Sequence, residues 1–149
     1  MFKKILVLVM FLASCGREEQ TKPYTPPVAT GGIAEENKAN LLELKETFIR
    51  ECGCAEKFEG VEFYVVDSIP EGAYGRYMVW PHGRRVIEVW NLKFQHTYQL
   101  KHIVWHEMGH AVGFSHTTDN LIMKHYDPSA QLAFVLENSF DEFLVDLFK

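Results

Sequence analysis

The sequence is poor in several things that small folds often lean on. Only three of its 149 residues are cysteine, at positions 15, 52 and 54. Without two separated cysteine pairs, a zinc ribbon is not supported. Basic residues are outnumbered, 15 Lys plus Arg against 20 Asp plus Glu, giving a formal charge of −5. With a pI near 5.8, the chain lacks the basic face that a nucleic-acid binder needs. Internal repeats and low-complexity runs are absent. The length fits one domain and does not support two independent cores. What is present, 47% hydrophobic and 23% charged residues, is the composition of a globular chain.

The longest all-apolar run is Ile5–Ala13, and it follows Lys3 and Lys4. That is the layout of a secretory signal. As a helix the run covers roughly 14 Å, too short for a bilayer core of about 30 Å. Its end, Leu12-Ala13-Ser14-Cys15, resembles the lipobox of bacterial lipoproteins. The resemblance implies a signal peptide at 1–14, cleavage before Cys15 and a diacylglycerol thioether on its sulfur. Loss of Lys3 and Lys4 would leave a charge of 13 − 20 = −7, so lipid rather than basic residues would hold the protein at a membrane. The expected location is therefore extracytoplasmic, on the periplasmic face or the cell surface. Residues 15–34 are read as the lipidated cysteine and a flexible tether, because Pro23, Pro26, Pro27, Gly31 and Gly32 interrupt a polar stretch that cannot bury a core. Cys52 and Cys54 remain, either as a Cys-x-Cys disulfide or as free thiols.

Residues 35–149 are expected to fold. Leu41, Leu44, Phe48 and Cys52 recur at helical spacing over 35–51. Val61–Asp67, Tyr74–Trp80 and Arg85–Trp90 are rich in β-branched and aromatic residues, and Pro81-His82-Gly83-Arg84 joins the last two as a hairpin. Over 97–112 the helical period returns, with Leu100, Ile103, Val104, Met108 and Ala111 on one face. Ser139 and Glu142 form a capping box ahead of a last helix. This order predicts an α+β domain. Trp80, Trp90 and Trp105 are taken as core aromatics.

The chemistry concentrates in His106-Glu107-Met108-Gly109-His110-Ala111-Val112-Gly113-Phe114-Ser115-His116. On a helix, positions i and i+4 lie about 40° apart and about 6 Å along the axis, so His106 and His110 can converge on one point. Glu107 is turned about 100° from His106, beside a metal rather than on it. Gly113 can take φ > 0, end the helix and let His116 return as a third ligand. Three neutral imidazoles leave a zinc ion its full charge and an open position, which suits activation of water. The five fixed positions would arise by chance in roughly 1 in 10⁴ shuffles, so the long pattern carries the assignment where a bare His-Glu-x-x-His would not. His102, four before His106, is read as a flank residue, since a helical triple cannot converge on one tetrahedral ion. His82 is read as a turn residue, and His96 and His125 as solvated.

The pattern H-E-x-x-H-x-x-G-x-x-H resembles that of the metzincin zinc endopeptidases. His116–Met123 is similar to the segment by which matrixins reach their Met-turn, Phe140–Phe148 to their closing helix, and Ile87–Trp90 to the strand before the active-site helix. The resemblance implies a small metzincin-like catalytic domain over 35–149, with a short twisted mixed sheet, a backing helix, an active-site helix and a C-terminal helix. It implies one catalytic Zn2+ on His106, His110 and His116, Glu107 as general base, and Met123 as an apolar floor. The substrate would be a peptide or protein, able to add to the edge strand Tyr74–Trp80, and the enzyme a monomer. Departures are plain. The step from His116 to Met123 is one residue shorter than usual in matrixins. Tyr126 stands three after Met123, where astacins and serralysins place a ligating tyrosine two after theirs, so no fifth ligand is carried over. Pro128 comes late, and no second-zinc loop or cysteine-switch prodomain is expected. Two other readings stand beside this one: a surface-exposed zinc-containing binding lipoprotein that does not cleave, and a hydrolase of cell-wall amides.

Overall fold

The computed structural model describes residues 24–94, 97–117, 119–124 and 141–149. Its elements run α1 (Gly32–Cys52), β1 (Val61–Val66), β2 (Gly75–Val79), β3 (Arg85–Trp90) and α2 (Thr97–Ala111), and residues 141–147 are again helical. The expected α+β class is the one observed. The calls on Cys15, His96, His125, Tyr126, Pro128 and Ser139 lie outside the described residues.

β3 is central, parallel to β1 and antiparallel to β2, giving the order β1-β3-β2. Its middle residues Val86, Ile87, Glu88 and Val89 are all buried, which only a strand covered on both faces achieves. Alternation sends Phe63, Val65, Ile87 and Val89 to an inner face packed with helices, and Glu62, Tyr64, Val86 and Glu88 to an outer face. On α1 the buried positions Ala34, Asn37, Leu41, Leu44 and Phe48 form one stripe, and Gly53, at φ 60°, ends the helix by donating to the Ile49 carbonyl. Phe48 meets Phe58 and Phe148 edge-on, at 5.8 and 5.3 Å. Burying such a ring contributes about 1.5–3 kcal/mol. Asn37 ties α1 to the segment after β3, donating to Leu92 O at 2.9 Å and Asn91 Oδ1 at 3.2 Å. α2 lies between α1 and β2, burying Leu100, Ile103, Val104, Trp105 and Met108.

Three expectations need correcting or completing. The tether does not extend to residue 34: α1 already begins at Gly32, and Val28 bridges Val66. Ala29 donates to Val65 O at 2.9 Å and Asp67 to Pro27 O at 3.0 Å. The prolines hold this segment extended rather than loose, so it lies along the free edge of β1. Of the tryptophans, only Trp105 is a core residue, its indole donating to Leu44 O. Trp80 and Trp90 are half-buried; Trp80 stacks on Tyr24, and the Trp90 indole donates to Asp67 O. Cys52 and Cys54 are joined as a disulfide. Among the described residues, no helix is long and apolar enough to cross a membrane.

Candidate metal centre

α2 carries His106, Glu107 and His110 on its last turns because its other face is the apolar stripe against α1 and the sheet. The helix ends at Ala111, and Gly113 just beyond it turns the chain with a φ of 104° that is closed to most side chains. Phe114 then donates back to Gly109 O at 2.9 Å and Gly113 to His110 O at 3.1 Å. The chain reverses, and His116 arrives beside the helix. The three Nε2 atoms form a triangle with all edges at 3.1 Å. The three histidines thus stand close enough to bind one metal ion. Equal edges of that size leave a point about 2.0–2.1 Å from every nitrogen, the zinc–imidazole length.

The ring tautomers follow from the partners. His106 Nδ1 lies 2.6 Å from Ile122 O, and His110 Nδ1 lies 2.8 Å from Phe114 O. A carbonyl only accepts, so both Nδ1 atoms carry the proton and both Nε2 lone pairs face the triangle. Burial, and then the neighbouring histidines, bring the His106 pKa down to about 4, against the pull of the Ile122 carbonyl. His106 is therefore neutral at pH 7, as a ligand must be.

Met123 is fully buried. A Cβ on Gly109 would overlap its sulfur, so the glycine inside the motif is what lets the methionine lie against α2 below the ligands. The turn bearing it is tied by Thr117 donating to Met123 O at 3.1 Å and by Ile122 donating to Asn120 Oδ1 at 2.9 Å. Asn120 also donates to Phe143 O at 3.0 Å, fastening the turn to the C-terminal helical segment. His102 is not a ligand: it is buried, packs edge-on to His106, and its Nε2 faces Lys124 O at 3.3 Å. It supports the same turn from below. His82 occupies the hairpin turn with φ 68°.

Glu107 is buried, and burial raises its pKa to about 7, although the Tyr77 backbone N–H acts in the opposite direction. Gly75 comes close: a Cβ there would lie 2.6 Å from Ile103 Cγ2 and 3.0 Å from Glu107 Cγ. An open cleft of about 420 Å3 joins Glu107 and the three histidines to Tyr74, Gly75, Arg76 and Tyr77 of the edge strand. A larger groove of about 750 Å3, between α1 and residues 92–94 and 100–101, is lined by none of the three histidines.

Gly75, Gly109 and the Tyr77 amide were not singled out from the sequence. Gly109, inside the motif, was the one findable signal, because a glycine in mid-helix costs about 1 kcal/mol and needs a reason. No family model, no curated protein and no solved structure matches this chain.

Proposed function

We propose that the protein is a zinc-dependent endopeptidase of metzincin type, held at a bacterial membrane through a lipidated Cys15. The observation that carries the reading is the pairing of an equilateral Nε2 triangle with a buried carboxylate on the next residue, both open to one cleft. His106, His110 and His116 would hold the ion, and three neutral nitrogen ligands with an accessible fourth side suit zinc in a catalytic rather than structural role. When bound, zinc supplies a Lewis acid that lowers the pKa of water to about 7 and polarises a carbonyl.

The chain's own residues supply the rest. Glu107, with its pKa near 7, can take a proton from the attacking water and pass it to the leaving amine. The cleft runs beside β2, at the sheet edge that no strand covers among the described residues. An extended peptide can add to that edge by backbone hydrogen bonds, with side-chain pockets giving selectivity.

The test is Glu107→Gln. The variant should keep one zinc per chain by mass spectrometry and lose about 10²–10⁴-fold in peptide cleavage. Undiminished cleavage overturns the assignment of the base. Bound zinc without turnover by the unaltered protein, across a peptide library, points instead to the non-cleaving binding lipoprotein. Incorporation of labelled fatty acid into the unaltered chain, and not into Cys15→Ala, tests the anchor.

A further inference from the structure

Glu107 is held from the sheet side by two residues of β2. Gly75 leaves it room, with 3.2 Å between an added Cβ and Glu107 Oε1, and the Tyr77 amide faces its carboxylate. Between these two contacts stands Arg76, whose side chain leaves by the opposite face of the strand. There Arg76 Nε donates to Glu88 Oε2 at 2.7 Å, and Nη2 donates to Tyr24 OH at 2.8 Å. The Tyr24 hydroxyl in turn donates to the other oxygen of Glu88, a fully buried side chain.

Tyr24 grips the strand a second time. Its ring stacks on Trp80, the residue just after β2, with centroids 4.7 Å apart. Arg84 Nη1 donates to its backbone carbonyl at 2.6 Å, so the strap is fixed by main chain as well as by side chain. One tyrosine from the N-terminal segment thus holds β2 near its beginning and just past its end. The metal ligands are held elsewhere, with His106 and His110 fixed by carbonyls of Ile122 and Phe114.

We propose that Tyr24 and Arg76 are positioning residues for Glu107: the N-terminal strap clamps β2 from the outer face so that Gly75 and Tyr77 keep the carboxylate aimed at the histidine triangle. The inference rests on the endopeptidase reading. It makes residues 24–29 part of the catalytic unit, not the end of a leash.

The experiment compares the full chain with Tyr24→Ala and Tyr24→Phe, the second keeping the stack on Trp80 but not the hydroxyl. Zinc content, kcat and KM on one cleaved peptide, and hydrogen exchange over 75–79 and 100–110 are measured well below the thermal midpoint. Zinc should stay at one per chain. In Tyr24→Ala, kcat should fall about tenfold with KM changed less than twofold, and in Tyr24→Phe about threefold. Exchange over 75–79 should quicken in both while 100–110 stays protected. A variant with lowered melting temperature but unaltered kcat makes the strap merely structural and overturns the proposal, as does unaltered exchange over 75–79. If Tyr24→Ala does not fold, Tyr24→Phe decides. An unaltered chain that binds zinc and cleaves nothing sinks the endopeptidase reading, and the exchange arm still decides whether the strap holds the site.

Discussion

The metal centre and the outer-face clasp each gather polar side chains around one buried carboxylate, Glu107 and Glu88, but over very different lengths of chain. His106, His110 and His116 lie within 10 residues of one another, whereas Tyr24 meets Glu88 across 64. The first is written by helix geometry and one turn, so residue spacing alone places it. The second depends on which strand pairs with which, and on a segment crossing the face of the finished sheet. They also differ in what balances the polar groups. At the metal centre, His106 and His110 each spend one ring nitrogen on a backbone carbonyl and turn the other toward the triangle. The clasp is complete in itself: a buried carboxylate, one guanidinium and one hydroxyl. Burial and the adjacent Glu88 carboxylate raise the Tyr24 pKa, so the hydroxyl stays protonated as a donor.

The sharpest way to break this comparison is to remove the clasp's cation. Arg76→Met leaves Glu88 as a buried charge without its ion-pair partner, which should cost about 3 kcal/mol in urea unfolding. The double variant Arg76→Met, Glu88→Met should recover most of that loss, because the penalty comes from the stranded charge. If the single variant is as stable as the unaltered chain, Glu88 is not isolated by burial, and the clasp is not the self-balanced unit described above. Zinc content should be unchanged in both variants.

The converse experiment damages the metal centre and leaves the clasp alone. Gly109→Ala puts a methyl group against the Met123 sulfur, and the fully buried methionine side chain must shift, pressing on the turn that carries it. Overpacking of this kind costs about 1–3 kcal/mol. Because the Ile122 carbonyl orients His106, zinc affinity should fall as well, by about tenfold in a competition titration. Unaltered zinc affinity would mean that the methionine floor and the ligand set are not mechanically joined.

What the sequence could reveal follows the same division. The convergence of His106, His110 and His116, the offset of Glu107 and the exit at Gly113 were legible, because each rests on spacing within one helix and its following turn. The place of Met123 came only from the resemblance to matrixins. The hairpin Pro81–Arg84 was legible for the same local reason. The strap was not. Its prolines and glycines read as a tether by composition, and composition does not tell an extended chain laid on a sheet edge from one in solvent. Glu88 read only as one residue of a strand, since nothing in its neighbours tells that its face would be covered by residue 24. Trp80 and Trp90 were misplaced because hydrophobic size predicts burial but not which face of the sheet the helices will take. Gly75 is a third kind of case: its absent side chain matters only once α2 lies against β2.

The smallest expected effect tests whether the outer face contributes through charge as well as through the strap. Glu62 accepts two hydrogen bonds from Arg84, at 2.7 and 2.9 Å, and one from Tyr64 at 2.5 Å. These bonds, Arg84 first and Tyr64 next, bring its pKa down to about 2. Its value in the unfolded chain is about 4.3. A carboxylate with a depressed folded pKa stabilises the fold fully above the unfolded value and progressively less as pH falls through the folded one. The contribution is therefore present at pH 6 and shrinks between about pH 4.5 and 2. The pair is open to solvent, so the effect at neutral pH should be slight. Glu62→Gln should lower the urea midpoint a little at pH 6 and show a shallower acid decline than the unaltered chain over that window. With zinc removed by chelator from both, the histidines are common to the two proteins, and the difference between the curves isolates Glu62. Parallel curves would mean that Arg84 holds the strap carbonyl of Tyr24 without help from its carboxylate partner, and that the outer face is fastened by Tyr24 and Glu88 alone.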